Sequence, residues 1–291
     1  MYRNLLVISA VVFFVVVSCN DQITEPINLE GDWISEINSR IVFSFTEDRC
    51  SYIEPTGNFA SYQLNRNEIV ISDTIQRREN IKVKEYKFLI DEYKDDLMTL
   101  ITDSITLNSH FQYSDLSHFD AFKLKRLSPL YENMFSSLQF ESTRCYGSCP
   151  SMKLNIDSLG NINYEGRAYT EKNGYYTGKL SRKKLKTLIR KIDYINLDSI
   201  KPTYSALWTD DQTYILTINS NNRTVKTNVY GFNKEPIELR ILFNELMELY
   251  KSIDMKQATM SNFSSNRSPQ NSTYVNYLVS YLLTCTTPLI H

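Results

Sequence analysis

Met152-Lys153-Leu154-Asn155-Ile156-Asp157-Ser158-Leu159-Gly160-Asn161-Ile162-Asn163-Tyr164 decides how the second half of the chain is read. Met152, Leu154 and Ile156 alternate with Lys153, Asn155 and Asp157, a turn follows, and Ile162 and Tyr164 resume the apolar face. Successive strand side chains point to opposite faces, so this is a β-hairpin with one face to bury. A strand over Leu138 to Thr143 precedes it, and Gly166 and Gly174 punctuate a third and fourth, the last holding Tyr175, Tyr176 and Leu180. The period then changes. Ser181 suits an N-cap, and Leu185, Leu188, Ile189, Ile192 and Ile195 recur at helical spacing. Two strands follow, Tyr214-Leu216-Ile218 and Val225 to Tyr230, joined by Asn219-Ser220-Asn221-Asn222. Pro236 suits the first position of a helix on which Leu239, Leu242, Leu246, Leu249 and Ile253 make one apolar stripe. The order ββββαββα over 138–254 predicts an α+β unit, an antiparallel sheet with both helices on one face.

Upstream, over 29–127, the pattern is β throughout. Ile41, Phe43 and Phe45 alternate with more polar neighbours, and Tyr62-Leu64, Ile69-Ile71, Tyr86 to Ile90, Leu97 to Ile101 and Phe122 to Leu127 follow. Short β runs with regular turn signals and no helical stretch predict an antiparallel barrel or sandwich. Pro129 cannot donate to a ladder, so 128–137 is expected to be a linker.

The chain begins with Arg3, an apolar run from Leu5 to Val17, and then Ser18-Cys19. A basic start, a short apolar core and small residues at a cut site make a secretory signal peptide over 1–18, and the run is too short to span a bilayer. Val16-Val17-Ser18-Cys19 resembles the bacterial lipobox. That resemblance implies diacylglycerol transfer to Cys19, cleavage before it and N-acylation, and two or more acyl chains anchor stably. Residues 19–28 would be a lipidated tether. From Met255 the pattern is lost, and 255–291 is expected to be a polar, disordered tail with a short apolar end.

Composition fits folded units: 42% hydrophobic and 22% charged residues, with a net charge of −1 that gives no bias toward nucleic acid. Gly is scarce at 8, so tight turns are expected to rely on Asn, Asp and Ser. Cys50 and Cys285 have no predictable partner, whereas Cys145 and Cys149 are close enough to pair. Three residues separate them, where oxidoreductase motifs have two, and no His stands near to complete a zinc site. A structural disulfide is expected, with thiol chemistry or inert free thiols as alternatives.

Leu29-Glu30-Gly31-Asp32-Trp33 resembles the Gly-x-Trp opening of lipocalin-like domains, and Phe122 to Leu127 resembles their closing strand with its Arg. The resemblance implies a closed barrel with Trp33 sealing one end beneath Arg126. Cys145-Tyr146-Gly147-Ser148-Cys149-Pro150, with Asn163-Tyr164-Glu165-Gly166 and Thr209-Asp210, resembles a family of unknown function found in exported bacterial lipoproteins and marked by Cys-aromatic-Gly-x-Cys-Pro. That family carries an aromatic where this chain has Met152, and its resemblance implies a fold without an activity.

Other clusters have a plain and a functional reading. His110 and His118, with Asp115 and Asp120, match no metal spacing and read as a surface loop, so no metal site or cofactor is expected. Arg182, Lys183, Lys184, Lys186, Arg190 and Lys191 read as the solvated face of the first helix, with contact to anionic lipid as the alternative. Tyr164, Tyr169, Tyr175 and Tyr176 are good strand formers, or else a platform for glycan stacking.

The resulting expectation is an exported lipoprotein held by Cys19 to the envelope, at the outer membrane of a Gram-negative bacterium. It would serve as a non-catalytic binding or structural module. The alternative is carriage of a small apolar ligand in a barrel cavity lined from Ile41 to Phe45 and Leu97 to Ile101. An enzyme comes third, since no nucleophile with its base is found; it would need a cleft around Asp210, Tyr175 or the Cys pair. An envelope protein, a glycan or a small apolar ligand are the partners considered, besides the membrane itself.

Overall fold

The computed structural model describes residues 26–259 other than 38, 48, 54–58, 78–79, 103–120 and 221–222. The expectations for the signal peptide and Cys19, for the His110–Asp120 segment and for the tail from 260 with Cys285 lie outside those residues.

Eight strands form a closed antiparallel barrel: β1 (Gly31–Ser35), β2 (Val42–Phe45), β3 (Arg49–Ser51), β4 (Ala60–Asn65), β5 (Glu68–Arg77), β6 (Asn80–Lys94), β7 (Leu97–Thr102) and β8 (Ala121–Arg126). Each pairs with the next, and β1 closes on β8 with Trp33 opposite Arg126. Period two sorts the side chains: Tyr86, Phe88 and Ile90 point inward while Lys87 and Leu89 face solvent, and Phe122 and Leu124 alternate with Lys123 and Lys125. The interior is filled by rings. Phe43 lies 5.5 Å from Phe88 and 6.0 Å from Phe122, and those two are 6.4 Å apart. Ile69, Ile71, Ile90, Met98 and Leu100 complete this core.

The second sheet also has eight strands, in the order β13-β15-β14-β9-β10-β11-β12-β16. They are β9 (Phe135–Ser142), β10 (Ser151–Asp157), β11 (Asn161–Ala168), β12 (Gly174–Lys179), β13 (Thr203–Ser205), β14 (Thr213–Ser220), β15 (Arg223–Tyr230) and β16 (Met255–Gln257), with α1 (Arg182–Asp193) before β13 and α2 (Ile237–Leu249) after β15. Leu138, Phe140, Leu154, Ile156, Ile162, Tyr164, Leu216 and Ile218 form one apolar face, and Leu188 and Ile192 of α1 and Leu239, Leu242 and Leu246 of α2 pack on it. The outer face is polar, with Arg167 bridging Glu141 and Glu165.

Several details differ from the sequence expectation. The sheet is mixed, because β13 runs parallel to β15, and the order gains β13 and β16. Both added strands are three residues long, too short to display a period. β16 begins where the tail was expected: residues 255–257 pair with the edge of β12, and Met255 packs on the core. The expected linker at 128–137 docks on the end of α1, and its last three residues already belong to β9. Asn133 is buried, its side-chain amide donating to the carbonyls of Ile192 (2.8 Å) and Ile195 (3.0 Å), and Leu130 and Tyr131 donate backbone N–H groups to Asp193 O. These bonds satisfy carbonyls that the end of α1 leaves open. Ser181 caps α1 by accepting from Lys184 N. Pro236 stands one position outside α2, its carbonyl accepting from Leu239 N and Arg240 N. Left-handed backbone at non-glycine positions falls on Ile53, Arg66, Met134 and Tyr169 as well as Asp95 and Asp210, so the turns depend less on Asn and Ser than composition suggested. No helix among the described residues is long and apolar enough to cross a membrane.

Candidate functional site

Arg126 closes one end of the barrel. Its guanidinium carbon lies 4.4 Å from the centre of the Trp33 ring system, Nη1 donates to Glu30 O at 2.7 Å, and Nη2 donates to Asn28 O at 2.6 Å. Trp33 is fully buried and donates its indole N–H to Leu29 O at 2.8 Å. One planar cation thus covers an indole face and ties down the segment entering β1, with about 0.5–2 kcal/mol from the cation–π contact. This is structural work.

Beside Trp33 the barrel meets the helices. Asp32 accepts from Lys191 Nζ of α1 at 2.6 Å and from Ser44 Oγ at 2.6 Å. The two charged side chains are 1% and 4% exposed, so the ion pair sits in a dry interface. Burial alone would raise the Asp32 carboxyl, but the Lys191 ammonium and the two hydrogen bonds outweigh it and hold the group below its ordinary value. Tyr194 packs nearby, its hydroxyl pushed up by burial and then by the Asp32 charge. The reading of Lys191 as part of a solvated face is therefore corrected. It stands on the side of α1 that meets the barrel, and its long stem carries the charge to a buried carboxylate.

Alongside this ion pair runs a cleft of about 500 Å³ with one wall from the barrel and the other from the helices. Phe45, Arg49 and Phe59 line the barrel side, and Thr187, Arg190, Glu245, Glu248 and Leu249 the helical side. Lys183 reaches across to Glu47 (3.2 Å) and Glu30 (3.7 Å), and Arg49 Nη2 stands 3.9 Å from Glu248 Oε2. Two lining groups are incompletely satisfied. Glu248 Oε1 accepts from Lys251 Nζ at 2.6 Å, but Oε2 is buried without a hydrogen-bond partner. Burial raises the Glu248 carboxyl despite Lys251 and Arg49. Arg190 Nε is likewise buried without a partner. Cavities between packed units are preferred ligand sites, and this volume is in the small-molecule range.

The remaining sequence candidates are dispersed. Cys145 and Cys149 form a disulfide, and the loop they close is braced from beneath by Gln212, whose amide donates to Thr143 O (2.7 Å) and Pro150 O (2.6 Å). Tyr146 N donates to Asp210 O at 3.2 Å, so the loop and the Thr209-Asp210 turn are one unit. Tyr175 lies on β12, with β10 and β11 between it and the strand that leads into the Cys loop. Tyr175 therefore stands apart from the Cys loop and the Thr209-Asp210 turn. The four tyrosines share no surface either: Tyr164 is fully buried against Tyr250, while Tyr175 and Tyr176 point to opposite faces of β12 and Tyr169 is exposed on a loop. Met152, where an aromatic was expected, is fully buried in the core. Cys50 is buried inside the barrel, and burial pushes its thiol up, away from reactivity.

Residues 136–250 match the family model of a domain of unknown function, DUF6438. The DUF6438 segment takes in β10 to β15, both helices and the braced Cys loop, and it supplies the helical wall of the cleft as far as Leu249. The barrel precedes it. No curated protein matches the chain.

Sequence reasoning missed Asp32, Lys191, Glu248 and Gln212. Asp32 was read only as the x of Gly-x-Trp, and Glu248, between Leu246 and Leu249, was not singled out. A signal did exist for Glu248. It falls on the more apolar of the two helices, where few positions remain exposed.

Proposed function

We propose that this chain is an exported, lipid-anchored, non-catalytic binding module of the bacterial envelope, and that it binds in the cleft between barrel and helices. The observation that carries this reading is a polar cleft of small-molecule size, walled jointly by the two bodies, in which one buried carboxylate oxygen of Glu248 and the buried Nε of Arg190 lack hydrogen-bond partners. Unsatisfied buried polar atoms cost free energy in the empty protein, and a ligand that satisfies them recovers it. On this reading residues 29–127 form a lipocalin-like domain and the DUF6438 segment a second domain, clamped together by Asp32 and Lys191. The anchor rests on the Val16-Val17-Ser18-Cys19 sequence, and the Cys145–Cys149 disulfide suits an oxidising compartment outside the cytosol.

Carriage of an apolar ligand inside the barrel finds less support, because Phe43, Phe88 and Phe122 already occupy the space that such a ligand would need. The test is native mass spectrometry of the full chain extracted from host envelopes, comparing wild type with Thr187→Trp, which fills the cleft. A bound molecule present in wild type and absent from the variant supports the reading. No adduct in wild type, or one retained by Thr187→Trp, overturns it.

A further inference from the structure

We propose that the cleft takes a short zwitterionic peptide, its ammonium on Glu248 and its carboxylate on Arg190. This rests on the reading of the cleft as the binding site and adds the class of ligand.

The argument starts from what each wall lacks. Glu248 is 8% exposed, one carboxylate oxygen is occupied by Lys251, and the other needs a donor. Arg49 does not supply it, since its Nη2 is 3.9 Å away and donates instead to Phe59 O at 2.7 Å. An ammonium has three donors and a positive charge, and it would also relieve the cost of holding this carboxylate out of water. Arg190 has the opposite need. Its Nε is buried with no acceptor: the Asp32 charge is felt from nearby, but Asp32 makes its two hydrogen bonds through Oδ1, to Lys191 and Ser44, and its Oδ2 makes none to Arg190. A carboxylate matches guanidinium geometry and can take two donors at once.

The lining as a whole carries four carboxylates and four cations, so its formal charge is zero. A purely anionic or purely cationic guest would leave one set of partners unmet, whereas a zwitterion meets both. Phe45, Phe59 and Leu249 supply apolar wall between the charged groups, suited to small aliphatic side chains. A volume of about 500 Å³ admits a peptide of a few residues.

The experiment is isothermal titration of the full chain in detergent with tri-alanine and, separately, with N-acetyl-tri-alanine amide, which lacks both terminal charges. Tri-alanine is expected to bind and the blocked peptide to bind at least about tenfold more weakly. Glu248→Gln and Arg190→Met should each weaken tri-alanine by about tenfold or more. Glu248→Gln should melt no lower than wild type, because a buried carboxylate with one unpartnered oxygen is replaced by a neutral amide whose oxygen can still accept from Lys251, and this separates lost binding from lost folding. Equal binding of the two peptides, or unchanged binding in both variants, overturns the proposal. So does silence of both peptides at about 10 mM. If the peptides are silent yet wild type carries an adduct that Thr187→Trp loses, the ligand class is wrong and the binding reading survives. If both experiments are blank, both readings fall.

Discussion

Replacing Lys191 by Met should cost more stability than any other single change at the junction of barrel and helices. The substitution keeps much of the stem volume and removes the ammonium, leaving the Asp32 carboxylate buried, with Ser44 as its remaining hydrogen-bond donor and Oδ2 already unpartnered. Breaking a buried ion pair from one side costs about 3–5 kcal/mol, because the surviving charge is stranded out of water. With a urea dependence of about 2–3 kcal/mol/M for a body of this size, the midpoint should fall by about 1–2 M. A Trp208→Phe background makes the assay specific, since only two tryptophans occur and Trp33 adjoins Asp32. Adding Asp32→Asn to Lys191→Met should recover about half of the loss, the coupling being read from the double-mutant cycle. The pH profile gives a second readout. In the wild type the Asp32 carboxyl lies below its ordinary 3.8, so its contribution is complete above that value and is lost as pH falls through the lowered one. In Lys191→Met only the Ser44 bond and the Arg190 charge are left to oppose burial, which then raises the group, so stability should instead decline as pH climbs above about 4. A midpoint shift under about 0.3 M, or a profile of unchanged sign, would refute the reasoning.

Other outcomes follow from the same geometry. Arg126→Lys keeps the charge but cannot hold Glu30 O and Asn28 O with one planar fork over Trp33, and should cost about 1–2 kcal/mol in urea unfolding. Gly166→Ala should cost at least about 3 kcal/mol or fail to fold, because a Cβ there would lie 1.8 Å from Lys172 O and 2.8 Å from the Tyr164 hydroxyl. Opening the Cys145–Cys149 loop by Ser substitution at both positions should cost about 2 kcal/mol in the chain-entropy model, read as a drop in Tm.

Much of the architecture was legible because it rests on local periods. Alternation at Phe43, Phe88 and Phe122 marks inward barrel positions, and the hairpin from Met152 to Tyr164 appears in the structure with Gly160 at φ +79° in its turn. Trp33 and Arg126, named from a resemblance, are register partners on β1 and β8. What stayed hidden depends on elements distant in sequence. The ion pair of Asp32 with Lys191 joins residues 159 positions apart, and nothing local distinguishes that lysine from the five other bases near it. Short β13 and β16 are held by neighbouring strands rather than by their own pattern. The cleft was illegible for the same reason: Arg49, Arg190 and Glu248 come from three elements that only packing brings together.

The most direct test of the account is amide hydrogen exchange on the full chain with and without saturating tri-alanine. Slower exchange is predicted on both walls at once, over β3 at Arg49–Ser51 and over the α1 turn around Thr187, with the outer-face strand residues around Gln139 unchanged. No protection on either wall would contradict tri-alanine as the ligand, and protection of one wall alone would contradict the claim that barrel and helices together make a binding site.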